Sequence, residues 1–442
     1  MLVDAWLPRA AEHHPDRPAV NALTYAELLG EVDATARRLA GRGVRAGDRV
    51  GIALAPGEAF CIALHAILRL GAVAVPVDLR LSARERERVA QGTVEVIDGA
   101  VIGTPASEAR LRARHDLGAP AIVVHTSGTS GTPKAVDLTY GNWLWSALGS
   151  AVALGLDPGE RWLCALPLSH VGGLSIVMRS AIYATTAIVH ERFDTDRVLD
   201  ALMQEDGPTI VSLVPTTLQR LLDAGLREPP ALRWALLGGA PATTALQGRA
   251  AAAGVPVATT YGLTETCSQV TTLGAPLFCT RVRMAADGEI LVSGPTVAGW
   301  AGSDGPVLAT GDLGEWRPDG ALAVAGRKAD TIVSGGENVA PAEVEAVLEA
   351  HPDVVEAAVH GRSDPEWGEV VVATVVAAPE VEAEELRAWC AERLARFKVP
   401  KDIAFTVALP RTPSGKIARK DLRSPSTPET GTQPPGGRTP WA

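Results

Sequence analysis

The chain has 442 residues and a formal net charge of −10, with 46% hydrophobic and 21% charged residues. This length exceeds one ordinary domain, and the composition is that of a soluble globular protein. The acidic balance argues against nucleic acid as the main partner, because a protein that binds phosphate backbones presents a basic face. The five cysteines include no Cys-x-x-Cys pair, which excludes a zinc ribbon, gives no disulfide framework and fits a reducing compartment.

The N-terminus and the most apolar window predict a cytoplasmic protein. Residues 1–9 lack a basic segment followed by an apolar core, so we expect no signal peptide. The window 60–77 is interrupted by His65 and Arg69 and is too broken to span a bilayer. It is more typical of a buried helix that leads into a strand.

Strand and helix patterns alternate along the first two thirds of the chain. Strands are predicted at 49–54, 72–77, 121–124, 162–166, 187–190, 210–213, 234–237 and 257–260. Helices are predicted at 24–40, 58–70, 172–184, 196–204 and 216–224. This alternation indicates an α/β fold with parallel sheets covered on both faces. Short strands and turns between 288 and 324 indicate a small β-rich subdomain.

The pattern changes at 326–330, after which a compact α+β unit is predicted. Its elements are a helix at 341–349, strands at 354–360 and 369–376, and a helix at 382–396. The tail at 424–442 is rich in Pro, Gly, Ser and Thr, which predicts disorder. The predicted organisation is an N-terminal domain at 1–325, a hinge at 326–330, a C-terminal domain at 331–423 and this tail.

The stretch 125–142 contains the densest motif of the chain, and we interpret it as a phosphate-binding loop. Its hydroxyl, glycine and lysine residues are Thr126, Ser127, Gly128, Thr129, Ser130, Gly131, Thr132 and Lys134. Glycine-rich backbone leaves N–H groups able to converge on an anion, and lysine adds a point charge. The spacing differs from a Walker A motif, because no Gly-Lys-Ser/Thr follows at the required interval. A flexible surface linker is the alternative interpretation.

Six short stretches in order resemble the adenylate-forming enzymes of the acyl-CoA ligase superfamily, from about residue 6 to residue 422. They are 126–134 (Thr-Ser-Gly-Thr-Ser-Gly-Thr-Pro-Lys), 238–241 (Gly-Gly-Ala-Pro), 261–266 (Tyr-Gly-Leu-Thr-Glu-Thr), 310–312 (Thr-Gly-Asp), 326–327 (Gly-Arg) and 413–416 (Pro-Ser-Gly-Lys). The resemblance implies a large N-terminal domain and a small mobile C-terminal domain. It also implies a reaction in which a carboxylate joins the α-phosphate of ATP, pyrophosphate leaves, and the thiol of coenzyme A displaces AMP.

The resemblance assigns roles around the nucleotide. Residues 126–134 hold the β- and γ-phosphates, and Glu265 binds Mg²⁺, a cation that prefers oxygen ligands. Asp312 accepts the ribose hydroxyls, and Arg327 reaches the same sugar. The remaining implied nucleotide and catalytic residues are Gly239, Ala240, Tyr261, Gly262 and Thr264. Without the family, Asp312 is equally well explained as a turn residue, whereas a solvated surface carboxylate is the lesser alternative for Glu265.

The C-terminal domain is implied to supply the catalytic lysine. Lys416 bridges the carboxylate and the α-phosphate in enzymes of this kind, where a charge-assisted contact in the transition state is worth ~3–4 kcal/mol. Gly335 and Gly336 resemble the loop that lines the coenzyme A tunnel. The chain departs from the family at Ala329, where Asp or Lys is usual at the hinge.

The acyl pocket is predicted near 167–183. His170 resembles the gate residue that lies beside the acyl carboxylate. Arg179 falls in an apolar run, where a cation needs a partner anion, so we expect it to bind a second carboxylate of the substrate. A side chain that reaches the surface is the alternative. Together with 140–147, this region resembles the branch of the superfamily that activates 2-succinylbenzoate for menaquinone biosynthesis.

Three other interpretations stay open from the sequence. The chain could activate a different aryl or acyl acid, with Arg179 structural. It could serve a carrier protein in place of free coenzyme A, or it could be a non-catalytic nucleotide-binding regulator. A homo-oligomer is compatible with the sequence.

Overall fold

The computed structural model describes residues 1–106, 108–126, 134–300, 305–334, 337–365, 367–411 and 417–423. It divides into two compact units, Met1–Lys328 and Ala329–Ala442. The boundary falls inside the segment 326–330 that the sequence marks as a hinge, whereas the tail at 424–442 lies outside the described residues. Within the described residues, no helix is both long and apolar enough to cross a membrane.

The α-helices of the described residues are α1 (Trp6–His13), α2 (Tyr25–Gly41), α3 (Glu58–Leu70), α4 (Ala83–Val89), α5 (Tyr140–Leu154), α6 (Val171–Tyr183), α7 (Thr195–Leu202), α8 (Pro215–Asp223), α9 (Thr244–Ala252), α10 (Pro341–Glu349), α11 (Ala383–Ala391) and α12 (Arg419–Arg423). Short 3₁₀ turns cover Thr264–Thr266, Lys328–Asp330 and Arg396–Lys398.

The strands of the first unit are β1 (Leu2–Asp4), β2 (Pro18–Val20), β3 (Leu23–Thr24), β4 (Arg49–Ile52), β5 (Val73–Pro76), β6 (Glu95–Ile97), β7 (Arg114–Asp116), β8 (Pro120–Thr126), β9 (Lys134–Thr139), β10 (Arg161–Cys164), β11 (Thr186–Val189), β12 (Ile210–Leu213), β13 (Trp234–Leu237), β14 (Val257–Leu263), β15 (Ser268–Thr272), β16 (Ala275–Pro276), β17 (Arg281–Met284), β18 (Glu289–Ser293), β19 (Leu308–Trp316) and β20 (Leu322–Arg327). Those of the second unit are β21 (Ile332–Ser334), β22 (Glu337–Val339), β23 (Val354–Asp364), β24 (Gly368–Ala377) and β25 (Asp402–Phe405).

Local sequence signals account for several helix ends. Thr24 caps α2 in a capping box, since its hydroxyl accepts from the N–H of Glu27 while the Glu27 carboxylate accepts from the N–H of Thr24. At the end of α3, Gly71 adopts a left-handed φ of 72°, which glycine tolerates without strain. The predicted bounds of α3, β12, β13 and α10 are confirmed to the residue.

Two sheets with parallel centres dominate the first unit. The larger has the order β16-β15-β14-β13-β12-β10-β11-β2-β3, and its strands from β14 to β2 run parallel. The smaller has the order β6-β4-β5-β8-β9, parallel except for β9. The α/β fold is therefore confirmed, with antiparallel strands added at the sheet edges. One apolar core joins α2 and α3 to both sheets.

The remaining sheets match the predicted β-rich subdomain and the α+β unit. Strands β17 to β20 form an antiparallel sheet over a small apolar cluster. In the second unit, β22-β21-β24-β23 form a sheet in which β25 pairs parallel to β24, and α10 and α11 cover it with a core of its own.

Several predicted elements were wrong in their extent. The stretch 125–142 is not one loop, because Val136 and Leu138 point into the core and make 134–139 a strand, after which α5 begins. Strand β14 continues past residue 260 to Leu263, because β15 pairs with it. The helix predicted at 382–396 ends at Ala391, and a 3₁₀ turn follows at Arg396–Lys398.

Candidate active site

The carboxyl ends of the parallel strands in both large sheets meet at His170. This residue follows β10 of the larger sheet and caps α6, whereas Asp78 follows β5 of the smaller sheet. The Nε2 atom of His170 lies 3.6 Å from Oδ2 of Asp78. Because ligands of open α/β sheets bind beyond the carboxyl ends of the strands, this junction is the natural place for a site.

Asp78 and Arg80 fix the position of the His170 ring. Arg80 donates to Asp78 from its backbone N–H at 3.0 Å, from Nε at 2.9 Å and from Nη2 at 2.6 Å. Its Nη2 also lies 3.2 Å from His170 Nε2, and since a guanidinium only donates, this contact requires an unprotonated Nε2. Burial acts to raise the pKa of Asp78, but the hydrogen bonds and charge of Arg80 outweigh it and hold that pKa at about 2.

Sequence reasoning did not find Asp78 and Arg80. The available signal was their place directly after the predicted strand 72–77, since polar residues at the carboxyl end of a parallel strand are candidates for a site.

Asp312 is held by two neighbours that the sequence also singled out. The hydroxyl of Tyr261 donates to Oδ2 at 2.7 Å, and Nε of Arg327 lies 2.8 Å from Oδ1. Burial and the negative charge of Asp312 raise the pKa of Tyr261, so the phenol keeps its proton and remains a donor. Each carboxylate oxygen has a second lone pair, so Asp312 can still accept from a ligand.

The turn that presents Asp312 is itself locked. Gly311 has φ 72°, a left-handed conformation that favours glycine, and its N–H donates to Glu289 at 2.9 Å. The hydroxyl of Thr310 donates to the carbonyl of Ile290 and accepts from the N–H of Asp312. The backbone therefore presents the carboxylate in one orientation.

Glu265 lies in the 3₁₀ turn Thr264–Thr266, between β14 and β15. The carbonyl of Glu265 accepts from the N–H of Ala298 at 2.7 Å, and the turn lies against β9. Its half-exposed carboxylate has no hydrogen-bond or ion-pair partner among the described residues, which also contain no group of three potential metal ligands. One unpartnered carboxylate fits Mg²⁺, which binds proteins through one or two carboxylates and completes its shell with water and phosphate oxygens.

One glycine motif directly follows β13, and a second lies near the end of β14, at the same edge of the sheet. Gly239 has φ 81° and is exposed beside Ala240, directly after β13. Gly262 stands at an irregularity in the β14–β15 pairing, where an added Cβ would lie 1.7 Å from the carbonyl oxygen of Ser268. Gly262 is therefore required by the strand pairing itself, and it sets the position of Tyr261 beside it.

Arg179 is buried, with 2% of its surface exposed, so the alternative of a side chain that reaches the surface is wrong. Its Nη2 donates to the hydroxyl of Ser146 at 3.2 Å, and the guanidinium lies 5.4 Å from the ring centroid of Trp162. Among the described residues, its Nε has no hydrogen-bond partner and its guanidinium forms no ion pair with a carboxylate. Burial lowers the pKa of Arg179.

Ser146 connects Arg179 to the turn that contains Glu265. The Ser146 hydroxyl accepts from Arg179 and donates to the carbonyl of Cys267 at 2.6 Å, directly after that turn. Two hydrogen bonds thus connect the buried guanidinium to the backbone that follows the Glu265 turn.

The remaining predicted site residues divide into two groups. Thr126 ends β8 and pairs in register with Lys134, whose side chain is exposed at the start of β9. The others lie outside the described residues: Ser127, Gly128, Thr129, Ser130, Gly131, Thr132, Gly335, Gly336 and Lys416.

The chain is similar to proteins of known activity over nearly its whole length. It matches the family described as AMP-binding enzyme at 7–94 and 90–299, and the AMP-binding enzyme C-terminal domain at 343–416. A 2-succinylbenzoate–CoA ligase from Bacillus licheniformis is 38% identical, covering 96% of this chain and 100% of the relative.

Solved structures of enzymes with this activity are also similar to the chain. The o-succinylbenzoate CoA synthetase (MenE) from Bacillus subtilis in complex with the acyl-adenylate intermediate OSB-AMP superposes with a TM-score of 0.87 at 35% identity, covering 96% of this chain and 99% of that one. The enzyme from the same organism in complex with ATP and magnesium ion has the same TM-score and identity, with 96% and 100% covered.

We expect Gly262→Ala to destabilise the first unit by roughly 1–3 kcal/mol, because an overpacked methyl must displace the β14–β15 pairing. Gly30→Ala is the matched control, since nothing lies within 4 Å of a Cβ added at this exposed position of α2. Alanine at this position replaces a glycine in the helix interior, so it should raise the free energy of unfolding by roughly 0.5–1 kcal/mol. Thermal unfolding of both variants measures the difference, and equal melting temperatures would contradict the assignment of Gly262.

Proposed function

The chain belongs to the family of AMP-binding enzymes, and we propose that it converts 2-succinylbenzoate to 2-succinylbenzoyl-CoA, with release of AMP and pyrophosphate. It is an ATP-dependent acid–thiol ligase that acts through an acyl-adenylate and uses ATP, Mg²⁺ and coenzyme A. This reaction belongs to menaquinone biosynthesis. The observation that supports the proposal is the contact between His170 and Asp78, because it brings together the carboxyl ends of parallel strands from both sheets, where ligands of such folds bind.

The chemistry explains why so many donors are needed. The acid carboxylate attacks the α-phosphate of ATP, so two anions must approach each other before pyrophosphate leaves. Such a step is accelerated by preorganised cations and hydrogen-bond donors at the positions where charge accumulates. The side chains around His170 and Asp312 are already oriented by protein contacts, so they need little rearrangement during the reaction.

On the nucleotide side, Asp312 accepts the ribose hydroxyls while Tyr261 and Arg327 keep its orientation. The exposed backbone at Gly239 and Ala240 borders the adenine. Residues 126–134 hold the β- and γ-phosphates, with Lys134 as the cation that closes this segment.

On the metal side, Glu265 holds Mg²⁺, with Thr264 in the same turn. The ion neutralises charge on the phosphates when it is bound. The contact between this turn and β9 supports the role, because β9 begins at Lys134, where the phosphate-binding segment ends.

On the acid side, His170 lies beside the carboxylate that is activated, and Arg179 binds the aromatic carboxylate. The unpaired Nε and the absence of a described counter-ion support the role of Arg179, since a buried cation is costly without an anion. The two positions are nine residues apart, or roughly 14 Å along the axis of α6. A substrate with two carboxylates is what this arrangement recognises.

The second unit supplies the remaining groups. Lys416 bridges the carboxylate and the α-phosphate during adenylation, and Gly335 and Gly336 line the path of coenzyme A. The segment 326–330 is the hinge between the two half-reactions. A cytoplasmic location and a homo-oligomer remain predictions from the sequence.

We expect turnover with ATP and coenzyme A to be highest for 2-succinylbenzoate in a panel with benzoate, coumarate and octanoate, because only the first offers Arg179 a second carboxylate. Pyrophosphate release measures adenylation, and the thioester product measures the second step. Preference for a monoacid would overturn the substrate assignment and leave the ligase chemistry intact. Pyrophosphate release without a coenzyme A thioester would indicate an enzyme that serves a carrier protein.

We expect Arg179→Met to raise the KM for 2-succinylbenzoate by about 10- to 100-fold, the range for a lost hydrogen bond between charged groups. The KM for ATP should stay unchanged. Arg69→Met is the control, because Arg69 is a half-buried arginine paired with Asp33 at 2.8 Å, outside the site. If Arg179→Met lowers stability as the control does and leaves the KM unaltered, Arg179 is structural.

We expect Lys416→Ala to lower the rate of adenylation by about 100- to 1,000-fold, the cost of removing one donor from a developing charge. Thioester formation from preformed 2-succinylbenzoyl-adenylate should continue at the wild-type rate. Single-turnover assays separate the two half-reactions, and an equal loss of both would refute the assignment.

A further inference from the structure

The chain on both sides of the segment 412–416 is held together by described contacts. Arg411 and Ile417 form an isolated antiparallel bridge, and the N–H of Ala418 donates to the carbonyl of Pro410 at 2.8 Å. The chain therefore enters and leaves this segment at one point of the second unit.

Arg419, which follows the segment 412–416, connects the chain to α10. Its Nη2 lies 2.5 Å and 2.7 Å from the two carboxylate oxygens of Glu345, and its Nε donates to the carbonyl of Val359 at 3.4 Å. Glu345 is 9% exposed, and its Oε1 also accepts from the N–H of Val359 at 2.8 Å. One buried carboxylate thus joins α10, β23 and the chain three residues beyond Lys416.

Arg411, which precedes the segment 412–416, connects the chain to β23 as well. Its guanidinium pairs with Glu356, which lies near the start of β23. Their side chains are 32% and 27% exposed. The two ends of the segment are therefore anchored to one rigid pair of elements, α10 and β23.

The burial of Glu345 distinguishes its ion pair from others in this unit. Arg362 and Asp402 also form a pair, but both side chains are 57% exposed, and exposed pairs contribute little to stability. Burial acts to raise the pKa of Glu345, and the charge of Arg419 opposes this shift. Apolar residues often stabilise a core as well as a buried pair does, whereas removing one partner leaves an uncompensated buried charge.

We propose that Arg419 and Glu345 are positioning residues that hold the backbone next to Lys416, with Arg411 and Glu356 as a second anchor. The inference rests on the proposed role of Lys416. A lysine has a flexible stem and a point charge, so its placement at the reacting atoms depends on a fixed backbone. The anchors matter for adenylation, in which Lys416 acts, and not for thioester formation.

The test compares Arg419→Met with Arg362→Met in the full chain. Arg419→Met should slow adenylation by about 100-fold, the loss expected when a catalytic group is misplaced by an ångström. Its thioester formation from preformed 2-succinylbenzoyl-adenylate should match the wild type, as should both half-reactions of Arg362→Met. Arg419→Lys should keep more adenylation than Arg419→Met, because it retains the charge. Equal loss of both half-reactions overturns the proposal.

A double variant separates positioning from a general effect on folding. If Arg419 acts only through Lys416, adding Arg419→Met to Lys416→Ala should cause no further loss of adenylation. An additive loss overturns the proposal. Should Arg419→Met fail to fold, Glu345→Gln serves in its place, because the amide oxygen still accepts from Val359.

The same variants distinguish an error in the proposed function from an error in this inference. If Lys416→Ala adenylates normally, the role of Lys416 is wrong and this inference falls with it. If Lys416→Ala is inactive in adenylation while Arg419→Met and Glu345→Gln are both normal, only the positioning role is overturned.

Discussion

The first unit depends on the contact between two sheet edges, where His170 after β10 meets Asp78 after β5. Parallel strands of one sheet end at the same edge, so this contact brings the carboxyl-end edges of the two sheets together. The segments that follow the strands are no longer bound in strand ladders, and their side chains and backbone are available to a ligand. Arg80 fixes the relative orientation of these two residues, because its guanidinium contacts both the carboxylate of Asp78 and the imidazole of His170.

Charged groups at the site are held in two different ways. Asp78 and Asp312 have cationic partners, so their orientation is set before any ligand binds. Arg179 is more deeply buried, and among the described residues it contacts a hydroxyl and an aromatic face, which leaves its Nε–H without an acceptor there. The first arrangement favours preorganisation for charge that develops during a reaction, and the second supports the proposal that Arg179 binds a carboxylate of the substrate.

Elements set by local signals could be predicted, and elements set by distant partners could not. The bounds of α3 follow from its apolar run and the glycines on either side, and they were found to the residue. The extension of β14 to Leu263 needs β15 as a pairing partner, and the strand 134–139 needs β8. Periodicity within a short window contains no information about such partners.

The sequence by itself determined the fold class, the order of the motifs and the residues to which chemistry could be assigned, because these depend on residue type and spacing along the chain. Only the tertiary structure decided that Tyr261, Asp312 and Arg327 touch one another, that Arg179 is buried without a described counter-ion, and that Arg80 orients His170. Those facts depend on distances between segments far apart in the chain, and burial and hydrogen-bond partners follow from packing that the local pattern does not specify.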